Sequence, residues 1–263
     1  MLTPPTTLLK TLIEKLSAAG CLSDAERRAI QSMPVTVREF RPNRDIMHEG
    51  GLSRHCCIVL DGWTCCYRIL SEGRRQILSI HVPGDLPDLQ SLHLPDTDFA
   101  MAALTPATVA FVSHAALRNL IATYPAISAA LWRETLLTAE IQRAWMLGLG
   151  RRDARGRLAH LLCELYLRLS AVGLVDGPVC PMPLTQIDLA DALGTTSVHV
   201  SRVLRDLRVA GLIDLRARKL EIFDWSGLQA AAEFDGRYLH LPGARCELFS
   251  TGTAAVRMPR ARP

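Results

Sequence analysis

The sequence predicts an α+β chain: an antiparallel β barrel or sandwich framed by helices, one long helix, and a C-terminal winged helix-turn-helix. Three observations carry this. Between Val35 and Val112, short runs with β-branched residues are cut by turn signals. After Pro125, from Ile127 to Trp145, residues recur near a 3.5-residue repeat over about five turns. Residues 184–208, LTQIDLADALGTTSVHVSRVLRDLR, read as two capped helices around a glycine.

Leu8, Leu9, Leu12, Ile13 and Leu16 are spaced for a first helix, and Ser23 precedes a second with Asp24 and Glu26 in its first turn. The strand region is punctuated by Pro42-Asn43, Glu49-Gly50-Gly51, Asp61-Gly62, Glu72-Gly73 and Pro83-Gly84-Asp85. Asp61-Gly62 is the strongest hairpin signal, since a two-residue turn favours residues that accept positive φ. Ser113 caps a helix from His114 to about Thr123, and Pro125 opens the long one, where its missing N–H costs nothing. Ile127, Leu131, Thr138, Ile141 and Trp145 form a narrow seam, the pattern of a helix pairing with its own copy or packing on its own barrel. Gly148 and Gly150 break that pattern before Arg151-Arg152, and a further helix runs to about Val172.

This divides the chain into 1–124 (helices and β domain), 125–150 (dimer helix and hinge), 151–225 (winged helix-turn-helix) and a tail, 226–263, of no legible role. The 263 residues, 49% hydrophobic and 21% charged, suit a soluble protein of two modest domains. The absence of any apolar run of membrane-spanning length and of a secretory leader points to the cytoplasm and to no membrane partner. Residues 1–150 carry 14 Lys/Arg against 14 Asp/Glu, whereas 151–223 carry 11 against 8, so the positive excess lies in the C-terminal part.

In the 184–208 segment, Thr185 and Asp188 are spaced as a capping box, with Asp for the usual Glu. Leu189, Ala190 and Leu193 bury the first helix, Gly194 permits the left-handed turn, and Thr196 caps the second helix. Val200, Val203, Leu204 and Leu207 face inward, leaving Ser197, Val198, His199, Ser201, Arg202 and Arg205 outside. Such a helix reads bases with its N-terminal part. Arg202 suits guanine O6 and N7, while Arg205 and Arg208 suit phosphates. Residues 211–213 and 219–222 add a short hairpin, the wing.

With these residues in place, the layout over about 17–225 resembles the Crp/Fnr family of bacterial regulators. The carriers are G-T-T-S-V-H-V-S-R-V-L at 194–204, Glu49-Gly50, Ile58-Val59-Leu60-Asp61-Gly62, Gly73-Arg74-Arg75-Gln76-Ile77 and Pro83-Gly84-Asp85. The resemblance implies a cyclic-nucleotide-binding-like β barrel of jelly-roll type, a long dimerisation helix, and a homodimer that regulates transcription on a near-palindromic operator in double-stranded DNA. RNA polymerase is the further partner it implies. The family's base-reading positions fall on Ser197, Val198, Ser201 and Arg202, and its phosphate positions include Thr185 and Thr196. Val198 departs from the pattern, since many members carry glutamate there; valine offers only an apolar contact to a thymine methyl.

The sensing end departs further. Cyclic-AMP-binding members carry G-E-L and a downstream R-S/T pair. Here Gly84-Asp85-Leu86 is followed by Asp98-Phe99-Ala100, with no arginine for the phosphate and with Asp88, Asp96 and Asp98 to repel it. An iron–sulfur cluster needs four cysteines, and only Cys21 lies near the N-terminus. Both ligands are therefore disfavoured, no spacing singles out a haem ligand, and the cofactor stays unassigned.

If Asp61-Gly62 closes a two-residue hairpin, Cys57 faces Cys66. That pair is either a redox device or, as the burial habit of free cysteine favours, packing. Two other functions stay open: a non-enzymatic sensor or interaction protein with a degenerate helix-turn-helix, and an enzyme. His48, His55, His81 and His93 form no legible nucleophile–base–orienter set, so the chain reads as no enzyme.

Overall fold

A computed structural model describes residues 8–18, 22–94 and 96–241. α1 (Lys10–Ala18) buries Leu12, Ile13 and Leu16. α2 (Asp24–Gln31) starts from Ser23, whose hydroxyl accepts from Glu26 N while the Glu26 carboxylate accepts from Ser23 N; the reciprocal cap satisfies two end donors.

Seven strands follow: β1 (Val35–Phe40), β2 (Asp45–Met47), β3 (His55–Asp61), β4 (Thr64–Ile69), β5 (Arg75–His81), β6 (Ala100–Ala103) and β7 (Ala107–Ser113). They form two antiparallel sheets, β1-β7-β3 and β2-β6-β4-β5, stacked like a jelly roll rather than closed into a barrel. The hairpin expected at Asp61-Gly62 does not form. β3 pairs with β7, Ile58 opposite Ala110, and β4 pairs with β5 and β6. Only Gly62 of the two turn residues has positive φ, +77°, whereas the Asp-Gly type I′ hairpin turn needs both. The chain crosses between sheets instead, with Trp63 N donating to Thr105 Oγ1 at 2.9 Å. A Cβ at Gly62 would lie 2.2 Å from the Pro106 carbonyl oxygen, so only glycine fits.

α3 (His114–Thr123) is capped by Ser113, and α4 (Pro125–Arg151) begins with Pro125 in its first turn. Gly148 and Gly150 do not end α4 as expected. The helix runs through both, with Gly148 buried, since the cost of a glycine in a helix interior is only about 1 kcal/mol. The break falls one turn later. Arg152 is extended, and Asp153 caps α5 (Ala154–Ala171) through Gly156 N at 2.7 Å.

The C-terminal domain adds α6 (Gln186–Leu193), α7 (Ser197–Val209) and a three-stranded sheet of order β8-β10-β9 (Val179–Pro181, Lys219–Ile222, Ile213–Arg216). α8 (Trp225–Ala232) and a 3₁₀ turn at Gly236–Leu239 close the described chain. One apolar core runs from Trp63, Tyr67, Ile77 and Ile80 of the sandwich into Leu158, Leu162, Leu189 and Leu207. The two domains thus pack as one body. Among the described residues, no helix is long and apolar enough to cross a membrane.

Candidate nucleic-acid interface

Local chemistry builds the α6–α7 unit as its sequence demands. Thr185 Oγ1 accepts from Asp188 N (3.1 Å) and donates to Asp188 Oδ2 (2.6 Å), which also accepts from Thr185 N. Gly194 ends α6 at φ 60°, ψ 44°, the left-handed conformation in which a glycine costs least. Thr196 caps α7 through His199 N. Val200, Val203, Leu204 and Leu207 are buried, and the opposite face is open.

On that face Val198 is 61% exposed, Ser201, Arg202 and Arg205 are exposed, and Ser197 at the first turn is half-buried. The phosphate candidates differ among themselves. Thr196 is exposed at the α7 N-terminus, where backbone N–H groups point outward. Thr185 is exposed, but its hydroxyl serves the capping box. Arg208 is drawn to the wing: its Nε donates to Asp214 at 2.8 Å and one Nη to the Leu215 carbonyl at 3.4 Å.

The head is held against the sandwich by ionic contacts that sequence reasoning missed. Arg75 of β5 donates to Asp188 Oδ1 and to Asp191 Oδ2, both at 2.7 Å. A second group lies between α1, α4, α5 and the turn after β5. Asp85 takes Lys15 Nζ (2.8 Å) and an Arg168 Nη (2.7 Å); Lys15 also pairs with Glu134, and Arg168 with Glu164 at 3.2 Å. Although burial opposes ionisation of Asp85, Lys15 and then Arg168 hold its carboxyl well below the usual carboxylate range. These residues are more than 100 positions apart in some pairs, and no local pattern announces them.

This group borders a cleft of about 440 Å³ between the sandwich and α4, lined in part by Ser79, His81, Asp98, Thr138 and Arg168. Asp98, Asp85 and Glu134 face it. Asp88 and Asp96, expected there from sequence, do not: Asp88 is buried and accepts from Cys57 N at 2.6 Å, and Asp96 forms a bridge with Leu52. Ser79 Oγ lies 2.8 Å from His81 Nε2, and His81 Nδ1 lies 3.6 Å from Asp85 Oδ2, a serine–histidine–aspartate order invisible in the sequence reading. Burial outweighs the support of the Asp85 carboxylate and, with Arg168 and Lys15 nearby, holds the His81 imidazole below its usual range.

The seam expected on α4 is used within the chain. Ile127 and Leu131 are buried against α1 and α3, and Ile141 and Trp145 are half-buried on the larger core. Trp132 (66% exposed), Leu136 (50%) and Met146 (70%) form instead an outward stripe, with Ala139 and Arg143 completing the same 3.5-residue repeat. Periodicity alone cannot tell which of two parallel stripes faces its own sandwich.

Cys57 and Cys66 are not hairpin partners but share a small core between the sheets with Met101 and Val109. Burial, then Asp88, pushes the Cys57 thiol well up, and burial does the same to Cys66. All six described cysteines are buried; Cys21 and the tail arginines Arg257, Arg260 and Arg262 lie outside the described residues. Among the described residues, no group of three or more His, Cys, Asp or Glu side chains is arranged to hold a metal ion.

Two family models match the chain: a Crp-like helix-turn-helix domain over residues 156–231 and a cyclic nucleotide-binding domain over 37–124. The nitrogen fixation regulation protein FixK of Rhizobium meliloti is 32% identical over 203 residues, 77% of this chain and 90% of the relative. The transcriptional activator protein FnrL of Cereibacter sphaeroides is 26% identical over 202 residues, 74% of this chain and 79% of the relative. The solved structure of FixK2 from Bradyrhizobium japonicum superimposes with a TM-score of 0.69 at 28% identity, covering 76% of this chain and 98% of that one.

Proposed function

The chain belongs to the Crp/Fnr family of DNA-binding transcription regulators, and from that premise we propose that it acts as a homodimer reading a near-palindromic operator with Ser197, Val198, Ser201 and Arg202 of each α7. The observation that carries this is the open face of α7: Val200, Val203, Leu204 and Leu207 are buried, while Val198, Ser201, Arg202 and Arg205 stand exposed on the opposite side of a helix with a capped N-terminus. Arg202 is the base-reading side chain, and Thr196 and Arg205 hold phosphates; Arg208 adds a phosphate contact through the guanidinium N–H groups that Asp214 and Leu215 leave, and Thr185 does so by turning its hydroxyl from Asp188 to the phosphate. The Trp132, Leu136 and Met146 stripe is the surface on which two copies of α4 meet. RNA polymerase is the partner through which such a regulator acts.

The signal is not cyclic AMP in this reading. Among the described residues lining the cleft, the two cations are Lys15 and Arg168, and both already pair with carboxylates. A cyclic phosphate there would face Asp98 and Glu134 without a cation of its own, a costly burial. Calorimetry with cyclic AMP is expected to show no binding at micromolar concentration; micromolar binding would refute this part. The reading as a whole is tested by recovering genomic DNA fragments bound by the purified protein. A shared motif with two half-sites one helical turn apart, about 34 Å, is expected. Salt-sensitive binding without any shared motif would instead favour an interaction protein with a degenerate reading head.

A further inference from the structure

From Phe234 to Leu241 the chain stays packed on the molecule. Phe234 packs edge-on to His160 of α5, with ring centroids 5.1 Å apart, and Tyr238 stacks on the same imidazole at 5.8 Å. The Tyr238 hydroxyl donates to Glu164 Oε2 at 2.8 Å. That carboxylate also accepts from Trp145 Nε1 of α4 at 3.0 Å, and its other oxygen takes Arg168. Leu239 is 3% exposed, and Leu239 and Leu241 form a wall of the cleft. The His240 carbonyl accepts from Arg133 of α4 at 2.8 Å.

These contacts have a common geometry. Along the chain α4 and α5 are joined by the short link at Arg152-Asp153, the point about which the C-terminal domain would swing, and Trp145 and Glu164 also bond directly between the two helices. The segment touches α5 at His160 and Glu164 and α4 at Arg133, 18 residues before the end of α4. It therefore ties the two helices together far from their hinge, where leverage against a swing is greatest. Through Glu164 and Arg168 the tie continues to Asp85 and the Ile80 carbonyl of the sandwich.

We propose that Phe234–Leu241 is a clasp that fixes the reading head in its DNA-competent orientation by bridging α4 and α5. The sign follows from α7, whose reading face is open while the clasp is closed. A closed clasp hides nothing that DNA needs, so it pre-orders the head and lowers the ordering cost of binding. A ligand entering the cleft meets Leu239 and Leu241, which makes the clasp the element by which occupancy would change head orientation.

The DNA half of this inference rests on the function proposed above, so the test has one readout without DNA. The full-length protein is compared with Tyr238→Phe, Arg133→Ala and Leu239→Asp variants. Brief trypsin digestion followed by mass spectrometry measures cleavage after Arg151 and Arg152; fluorescence anisotropy measures affinity for a duplex recovered from the genomic selection. Leu239→Asp is expected to speed hinge cleavage and weaken duplex affinity about tenfold, and Tyr238→Phe, which removes one hydrogen bond, about fivefold. If Leu239→Asp fails to fold, as judged by circular dichroism, Tyr238→Phe and Arg133→Ala decide. Hinge cleavage within twofold of wild type in the folded variants overturns the clasp. Faster cleavage in a protein that binds no DNA upholds the clasp as a hinge restraint and overturns its DNA role together with the function. Faster cleavage with unchanged or tighter duplex affinity overturns the pre-ordering role.

Discussion

Asp188 serves two masters at once: it closes the capping box that starts α6, and it receives Arg75 from the sandwich at 2.7 Å. The same guanidinium reaches Asp191 one helical turn on, so two neighbouring carboxylates of α6 are pinned to β5. Removing Arg75 leaves Asp188, with only 8% of its side chain exposed, without its cation. Arg75→Ala is expected to cost about 2 kcal/mol, below the loss for a fully buried pair because Arg75 is partly solvated. Urea unfolding of the two proteins at neutral pH checks this; a loss under about 0.5 kcal/mol would show that the pair does not hold the head.

Much of that head was legible in the sequence because its determinants are local. The Thr185–Asp188 box, Gly194 in the left-handed region and Thr196 at the α7 cap each rest on residues within one turn of one another. The sandwich was legible as a set of strands but not in its pairing. The Asp61-Gly62 signal belonged to a crossing between sheets, while the wing turn that does have two positive φ values uses Ala217 and Arg218, which carry no such signal. The ionic contacts of Arg75, Lys15, Asp85 and Arg168 depend on long-range packing. The clasp was illegible for the same reason: Tyr238 and Leu239 acquire their meaning only from the distant helices they touch.

The two stripes of α4 make opposite expectations. Leu136→Asp with Met146→Asp should split a dimer and leave each chain folded, since both side chains are exposed. Leu131→Asp should unfold the sandwich, because it places an unpaired charge in a core built on α1 and α3. Light scattering and circular dichroism separate the two outcomes. A wild-type protein that is monomeric at micromolar concentration would remove the dimer from the account.

His160 gives a pH dependence with a definite sign. Burial, and then Arg152, push its imidazole from the usual 6.5 down to about 4. The folded state therefore binds fewer protons than the unfolded chain between those values. Stability from this group is complete above pH 6.5 and is lost as pH falls towards 4, by at most about 3 kcal/mol. Asp88, raised by burial to about 6, contributes in the opposite direction. The informative quantity is thus the difference between wild type and His160→Phe, which keeps a ring beneath Tyr238. That difference should move against the wild type as pH is lowered from 7 to 4.5; a flat difference would place His160 in contact with water.

Buried, protonated thiols are poor targets for oxidants, because the thiolate is the reacting species. DNA affinity is accordingly expected to be the same in dithiothreitol and in diamide for the wild type and for the Cys57→Ser, Cys66→Ser double variant. An oxidant-dependent affinity in the wild type alone would restore a redox role to this pair.

Whether the N-terminal half of α7 reads bases is measured by comparing Arg202→Ala with Arg205→Ala across an operator set in which each base pair is changed in turn. Arg202→Ala is expected to lose about 1–3 kcal/mol on the intact operator and to relax preference at one base pair per half-site. Arg205→Ala should weaken every sequence by the same factor and leave the preference intact. Equal relaxation in both variants, or unchanged preference in Arg202→Ala, would contradict it.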